Sequence, residues 1–342
     1  MIVLFVSSIV LVYLCAHQFP KFALIIRLLD TPDHRSAHLV ATPTGAGITF
    51  IFVFGLVSLI SDRVGGSHDA QSWLLECLVP ITLVALVGFV DDFRPLSWKV
   101  RAPLQFGCSV WLVSIVGFPP LQVLGFSIEP SIIGAAFGVV ALLWLLNLYN
   151  FMDGIDGIAI AEAVFVLTAA AGLACLSGET ISGIVLVLLG CCIGFLVINW
   201  PTAKVFMGDA GSCFLGLTFG VLILSETMIG LWSWLVLLGW FITDACLTIT
   251  IRLCRGDKIY EAHNLHCYQH LNRAIGTQNT LFVVLAVNAF WLLPIAFIIV
   301  RNNDLGAGLL LLAYMPLLAF QFLAGAGQAM PRIKAIHSGN NT

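Results

Sequence analysis

Ser131-Ile-Ile-Gly-Ala-Ala-Phe-Gly-Val-Val-Ala-Leu-Leu-Trp-Leu-Leu-Asn147-Leu-Tyr149 runs directly into Asn150-Phe-Met-Asp153-Gly-Ile-Asp156-Gly157. The first part is apolar over the length a helix needs to cross a hydrocarbon core about 30 Å thick. The second gathers amides, acids and glycines within a few residues. Runs like the first recur along the chain, which is 60% hydrophobic and 10% charged, with mean hydropathy +1.02. Soluble domains carry about 25% charge, so this chain lacks the polar surface to face water all round. Backbone groups in lipid must be bonded internally, which makes the spans helical. A β-barrel would instead show alternating strands of about 10 residues. The sequence therefore reads as an all-α polytopic membrane protein of about 10–11 transmembrane helices, with its chemistry in cytoplasmic loops.

Working outward, spans are predicted near 2–19, 44–61, 73–90, 101–117, 131–149, 158–177, 180–198, 212–227, 229–252, 278–300 and 305–325, as one integral membrane domain over 1–342 with a tail at 326–342. The apolar start has the length of a signal peptide but no basic region before it and no clear cleavage site, so a retained first span is expected. Lys21, Arg27, Arg35, Arg94, Lys99, Arg101, Lys204, Arg252, Arg255, Lys258, Arg273, Arg332 and Lys334 then share one side, leaving only Arg63 and Arg301 of the 15 basic residues on the other. The positive-inside rule makes the first side cytoplasmic and the N-terminus periplasmic. Aspartates and histidines gather on that inner side, whereas a transporter more often places its ionisable groups near the midplane, where only Asp244 is a candidate.

The net charge of −3 sits in a few loops, with no basic tail pointing to nucleic acid. Most of the ten cysteines lie in apolar runs without CxxC or zinc spacing, and read as small buried hydrophobes.

Four constellations carry chemistry. Gly88-Phe-Val-Asp91-Asp92 ends the third span. Adjacent carboxylates repel unless a cation or proton relieves them, and hard oxygens suit Mg²⁺ completed by substrate phosphates; a solvated helix end is the plainer alternative. Arg94, Lys99 and Arg101 follow and could meet phosphate or anionic headgroups. In the second, Asn147, Asn150, Asp153 and Asp156 recur every three residues and would share a face if the helix continues, with Gly154 and Gly157 allowing a turn or the close approach of a ligand. The third is Asn199-Trp-Pro-Thr-Ala-Lys204-Val-Phe206-Met-Gly208-Asp209-Ala-Gly211-Ser212, where Asp209 opens a helix whose N–H groups could hold an anion. Phe206 offers a face for stacking a base, or plain packing. The fourth holds His263, His266 and His270 at i, i+3, i+7. Zinc would need another ligand that no nearby acid or cysteine supplies, so bonding to phosphate oxygens or sugar is preferred.

Together these motifs resemble the polyprenyl-phosphate N-acetylhexosamine-1-phosphate transferase superfamily, the WecA/MraY-like enzymes. The resemblance runs from Leu29-Asp-Thr-Pro-Asp-His-Arg-Ser-Ala-His38 to the histidine loop, and takes in Thr243-Asp244. It implies transfer of a sugar 1-phosphate from a UDP-sugar to undecaprenyl phosphate, with release of UMP, at the inner membrane of a bacterium. By resemblance, Asp209 is the leading Mg²⁺ ligand with Asn150 as helper, Mn²⁺ being an acceptable substitute. Asp91 and Asp92 would orient or deprotonate the attacking lipid phosphate, near Lys99 and Arg101, and Asp156 is counted with them as catalytic. Asn147, Asp153, Asn199 and Phe206 would shape the nucleotide site, and Lys204, His263, His266 and His270 would contact phosphate or sugar. A homodimer is compatible with the family, and no nucleic-acid partner is expected.

Two departures bear on the subgroup. Where family members often read Pro-Thr-Pro-Arg-Gly-Gly-Gly, this chain has Ala41-Thr-Pro43-Thr44-Gly45-Ala-Gly47, without the arginine. Its histidines are also spaced apart, unlike the neighbouring histidines of peptidoglycan-precursor enzymes. The loop is similar to those of enzymes that start O-antigen or capsule repeats (WbpL-like), some using 6-deoxy sugars such as QuiNAc or FucNAc. The competing expectations are ordinary UDP-GlcNAc specificity and, in a different class, a polytopic transporter or flippase.

Overall fold

A computed structural model of the chain describes residues 1–32, 40–65, 72–123, 126–258 and 263–328. The first-loop motif at 33–39, and with it Arg35, lies outside the described residues. So does the tail from 329 onward, with Arg332 and Lys334.

Every predicted span is helical. In order they are α1 (Ile2–Ile26), α2 (Gly47–Gly65), α3 (Ser72–Phe93), α4 (Trp98–Val116), α5 (Ile132–Met152), α6 (Ile158–Leu176), α7 (Gly183–Asn199), α8 (Gly208–Leu224), the pair α9 (Leu231–Leu237) and α10 (Gly239–Cys254), the pair α12 (Thr277–Val287) and α13 (Leu293–Arg301), and α14 (Gly306–Leu323). The histidine loop contributes α11 (Cys267–Ile275). Two short antiparallel hairpins complete the pattern, β1 (Leu29–Asp30) with β2 (Thr42–Pro43) and β3 (Leu121–Val123) with β4 (Phe126–Ile128).

Five of the helical segments are long and apolar enough to cross a membrane, and the α9–α10 pair makes a sixth if it is one span. The chain is thus a multi-pass α-helical membrane protein. The apolar stretches of α2, α7 and α8 are shorter. Two predicted straight spans are interrupted. The 229–252 segment bends by 73° between α9 and α10, and a π-helical turn at Asn288–Leu292 separates α12 from α13. Both breaks are backbone features that hydropathy does not register.

Packing explains which helices are central. All residues of α8 from Ala210 to Leu224 are buried, and α6 and α7 are buried over most of their length. By contrast α1 buries only one stripe, Ser8, Val12, Ala16, Phe19 and Ala23, and presents apolar residues such as Val3 and Leu24 outward. That exposed apolar surface is expected where the surroundings are lipid, since a hydrocarbon neighbour replaces the hydrophobic drive with close packing. Gly88 on α3 supplies such a contact: a Cβ there would come within 2.6 Å of the Asp209 carbonyl oxygen. The C-terminal end of α3 therefore meets the first turn of α8 directly, and the residues after Gly88 share one site with Asp209.

Candidate active site

The site begins at that seam. Asp92, near the end of α3, accepts the backbone N–H of Asp209 at 2.8 Å and of Ala210 at 3.3 Å. Helix N-termini leave N–H groups without intrahelical partners and favour negative charge, so Asp92 acts as a cap borrowed from another helix. Its neighbour Asp91 accepts the Leu96 N–H at 2.5 Å and pairs with the Arg101 guanidinium. Arg101, at the start of α4, reaches the Asp209 carboxylate as well, at 3.1 Å. The other oxygen of Asp209 accepts from the Asn150 amide at 2.8 Å, and that amide lies 3.0 Å from the Ser212 hydroxyl. Residues from α3, α4, α5 and α8 thus meet around one acidic point.

Asp153 ends α5. Burial, with the Asp209 and Asp156 charges, raises its carboxyl to about 8. Asp156 accepts the Ala203 N–H at 2.9 Å, joining the acidic turn to the loop before α8. Asn199 makes a second tie, accepting the Gly157 N–H at 3.1 Å and donating to the Val205 carbonyl at 2.8 Å. It is only 3% exposed, so its amide is occupied in holding the two loops together. Asn147 donates back to the Leu143 carbonyl of its own helix at 2.7 Å. Lys204 is exposed and Phe206 half-buried. The Phe206 backbone pairs with the Pro43 carbonyl at 2.7 Å and the Ala46 N–H at 3.0 Å. The segment lacking the family's arginine therefore serves as a backbone clasp on the loop leading to Asp209. Lys99 is exposed and lies over the Trp98 ring at 6.0 Å.

The histidines separate in role. His263 stacks on His266 with ring centroids 4.8 Å apart. His266 is 1% exposed, lies 3.5 Å from the Asp244 carboxylate, and stacks on Phe151 at 6.4 Å. His270 is buried beside Gly325 at the end of α14. Burial lowers the His263 imidazole to about 3, with the neighbouring His266 and Arg252 adding to the effect. His270 is lowered as well, by burial and then by Arg273. Of the three rings, His263 is the one with appreciable exposure, and the other two are packed into the loop.

Three features here were not read from the sequence. The Arg101 bridge joins residues 108 positions apart, since Arg101 contacts Asp209, and only chain folding reveals it. The use of Asp92 as a cap requires knowing which helix starts beside it. Ser212, quoted only as the end of a motif, lies against the same amide as Asp209.

No group of three or more His, Cys, Asp or Glu residues stands in metal-ligating arrangement among the described residues. Mg²⁺, however, is commonly held by one or two carboxylates with the remaining positions taken by water and substrate phosphates. Asp91 and Asp209 already turn carboxylate oxygens toward one cationic group, so the donor set fits a hard divalent ion.

The pattern of glycosyl transferase family 4 matches residues 74–227, a stretch holding Asp91, Asp92, Asn147, Asn150, Asp153, Asp156, Asn199 and Asp209. Among curated relatives, the chain is 25% identical to a probable undecaprenyl-phosphate N-acetylglucosaminyl 1-phosphate transferase of Bacillus subtilis, over 93% of this chain and 91% of that protein. It is 29% identical to a phospho-N-acetylmuramoyl-pentapeptide-transferase of Streptococcus thermophilus, over 64% of this chain and 69% of the relative. A protein of the same description from Streptococcus pneumoniae is 33% identical over 55% of this chain and 60% of its own length. With the motifs meeting around Asp209 and the family pattern lying across them, the chain belongs to the WecA/MraY-like superfamily of polyprenyl-phosphate sugar-1-phosphate transferases.

Proposed function

We propose that the protein transfers an N-acetylhexosamine 1-phosphate from its UDP-sugar to undecaprenyl phosphate, at the cytoplasmic face of a bacterial inner membrane. The observation that carries this reading is the meeting of Asp91, Asp209 and Arg101 at the helix ends, with Asn150 and the acidic turn alongside. A phosphate oxygen of the lipid attacks the β-phosphorus, a new P–O bond forms, and the bridging oxygen leaves with UMP. Bound Mg²⁺ supplies charge neutralisation of the diphosphate. Asp209 and Asp91 would hold it, with Asn150 as helper through the amide N–H it donates to the Asp209 carboxylate. Arg101 fixes the two carboxylates and offers a guanidinium to the lipid phosphate, while exposed Lys99 sits where headgroups arrive. Asp92 keeps Asp209 in place through its backbone. Asp153, whose carboxyl is raised by burial and by the Asp209 and Asp156 charges, stands in the acidic turn beside the site, and Asp156 orders the loop that carries Lys204 and Phe206.

For the sugar, the spaced histidines support a 6-deoxy N-acetylhexosamine such as QuiNAc or FucNAc, and with it initiation of O-antigen or another surface polysaccharide. UDP-GlcNAc is the second reading, favoured by the Bacillus relative, which aligns over 93% of this chain. The orientation rests on the basic residues, which place the site inside and the N-terminus outside.

The test is purified protein with undecaprenyl phosphate, Mg²⁺ and a panel of UDP-N-acetylhexosamines, scored by UMP release. Turnover should disappear with EDTA and return with Mg²⁺ or Mn²⁺. Absence of UMP with every sugar, where a known relative is active, would sink the assignment.

A further inference from the structure

Beside the acidic turn stands a support that the transfer chemistry does not itself use. Asp244 of α10 is fully buried. It accepts the N–H of Cys267 at 2.8 Å, the N–H of Tyr268 at 3.1 Å and the Thr248 hydroxyl at 3.1 Å. Cys267 and Tyr268 open α11, so these are N–H groups without intrahelical partners, and a carboxylate is the favoured group there. The cap fixes Tyr268, whose side chain is fully buried. Its hydroxyl donates to the Phe151 carbonyl at 3.0 Å, in the last turn of α5 and just ahead of Asp153. The same hydroxyl fills the space at Gly154, where a Cβ would lie 2.1 Å from the phenol oxygen and 3.2 Å from the ring carbon bearing it. From the other direction, Asp156 is held by the Ala203 N–H. The turn from Asp153 to Asp156 is therefore gripped on two sides, and only glycine fits at 154 while the hydroxyl is present.

We propose that Tyr268, seated by Asp244, is a positioning residue for the acidic turn and sets where Asp153 and Asp156 stand toward the nucleotide sugar. The proposal rests on reading that turn as part of the UDP-sugar site. Tyr268 acts through the Phe151 carbonyl and the Gly154 backbone and touches no substrate. The glycine and the tyrosine, 114 residues apart by number, thus form a matched pair.

The test is a double-mutant cycle of Tyr268→Phe and Gly154→Ala in the full-length detergent-purified protein, using the UDP-sugar turned over fastest in the panel. Tyr268→Phe removes one hydrogen bond and should raise KM for the UDP-sugar about fivefold, with kcat within about twofold. Gly154→Ala places its methyl on the phenol oxygen and should lower turnover about 100-fold or more. The double variant should recover most of that loss, because the remaining neighbours, the ring carbon and the Gln269 Nε2, both at 3.2 Å, need only a small shift. A double variant no better than Gly154→Ala, or an unchanged KM in Tyr268→Phe, overturns the proposal. If the wild type releases no UMP from any sugar, the functional reading fails and Tm decides the support alone. A loss in the double variant smaller than the sum of the single losses then upholds it, and an additive loss refutes it.

Discussion

Replacing Asp92 by asparagine separates two ways in which this carboxylate could serve the reaction. In the structure both of its oxygens are engaged, by the N–H groups of Asp209 and Ala210. Asparagine keeps one acceptor and turns an NH₂ toward the second N–H, leaving a donor without a partner. That costs about 1–3 kcal/mol. Loss of the charge at the helix N-terminus adds about 0.3–1 kcal/mol, more where the site is partly buried. A destabilisation of about 1–4 kcal/mol at the α3–α8 seam follows. Because Asp209 is the residue being capped, its carboxylate moves, and a shift on the order of 1 Å costs about 100-fold in rate. The assay is UMP release titrated with Mg²⁺, alongside Tm in the same detergent. Asp92→Asn should lower Tm, reduce turnover and raise the Mg²⁺ concentration for half-maximal rate, and Asp92→Ala should do all three more severely. An Asp92→Asn protein with unchanged Tm and unchanged Mg²⁺ demand but no turnover would refute the cap and make Asp92 a proton acceptor instead.

The remaining predictions concern the groups around this seam. Arg101→Ala removes charge-assisted contacts to Asp91 and Asp209; discounted for partial solvent exposure, each is worth about 1 kcal/mol. Turnover at limiting undecaprenyl phosphate should fall, with Arg101→Lys between the two; equal rates for wild type and Arg101→Ala would exclude the bridge. His263 and His270 are lowered in the folded loop, so below the ordinary imidazole value the unfolded loop binds more protons. Their contribution is fully present above about pH 6.5 and is lost as pH falls toward the lowered values. The protection of α11 amides, taken as the intrinsic over the observed exchange rate, should therefore fall between pH 7 and pH 5, and less so in His263→Asn; a pH-independent protection factor would count against it. Glu162, buried in α6, accepts from the Asn288 amide at 2.5 Å in the π-helical turn. Glu162→Gln preserves an acceptor and should leave Tm nearly unchanged, whereas Glu162→Leu strands the amide and should cost about 1–3 kcal/mol; the reverse order would contradict this pairing.

Much of the architecture was legible because lipid leaves the chain little choice. An apolar run such as 131–149 can only be a helix there, and α5 occupies Ile132–Met152. The acidic motifs were legible as types of chemistry, since carboxylates at helix ends need a compensating cation or donor. Their individual duties were not legible. Asn150, Asp153 and Asp156 do not lie along one continued helix, because α5 stops at Met152 and the chain turns before α6. Asn199 looks like a ligand-binding amide in sequence but is spent on two backbone groups of its own protein. The spacing of the histidines suggests one face, yet His266 precedes α11, so only His270 of the three sits within that helix. The bend at Leu238 and the π-helical turn at Asn288–Leu292 leave no mark in hydropathy, because an irregular apolar helix has the same composition as a regular one.

Asp92 and Asp244 share a physical logic that bears on why such residues occur in a membrane protein. Each is carried on one helix and spends its carboxylate on the N–H groups that open another, α8 in one case and α11 in the other. A carboxylate taken out of water is costly unless its charge is answered, and a helix N-terminus answers it with fixed dipoles rather than a mobile partner. The converse also holds, because those N–H groups would otherwise be buried without acceptors. The two penalties cancel only when the helices stand in one relative position. That mutual requirement fixes α8 against α3, and α11 against α10. It gives Asp209 and Tyr268 defined places without asking either to supply its own anchoring. A hydrophobic contact could hold the same helices together, but lipid competes for it, and it would leave their rotation and axial register far less determined.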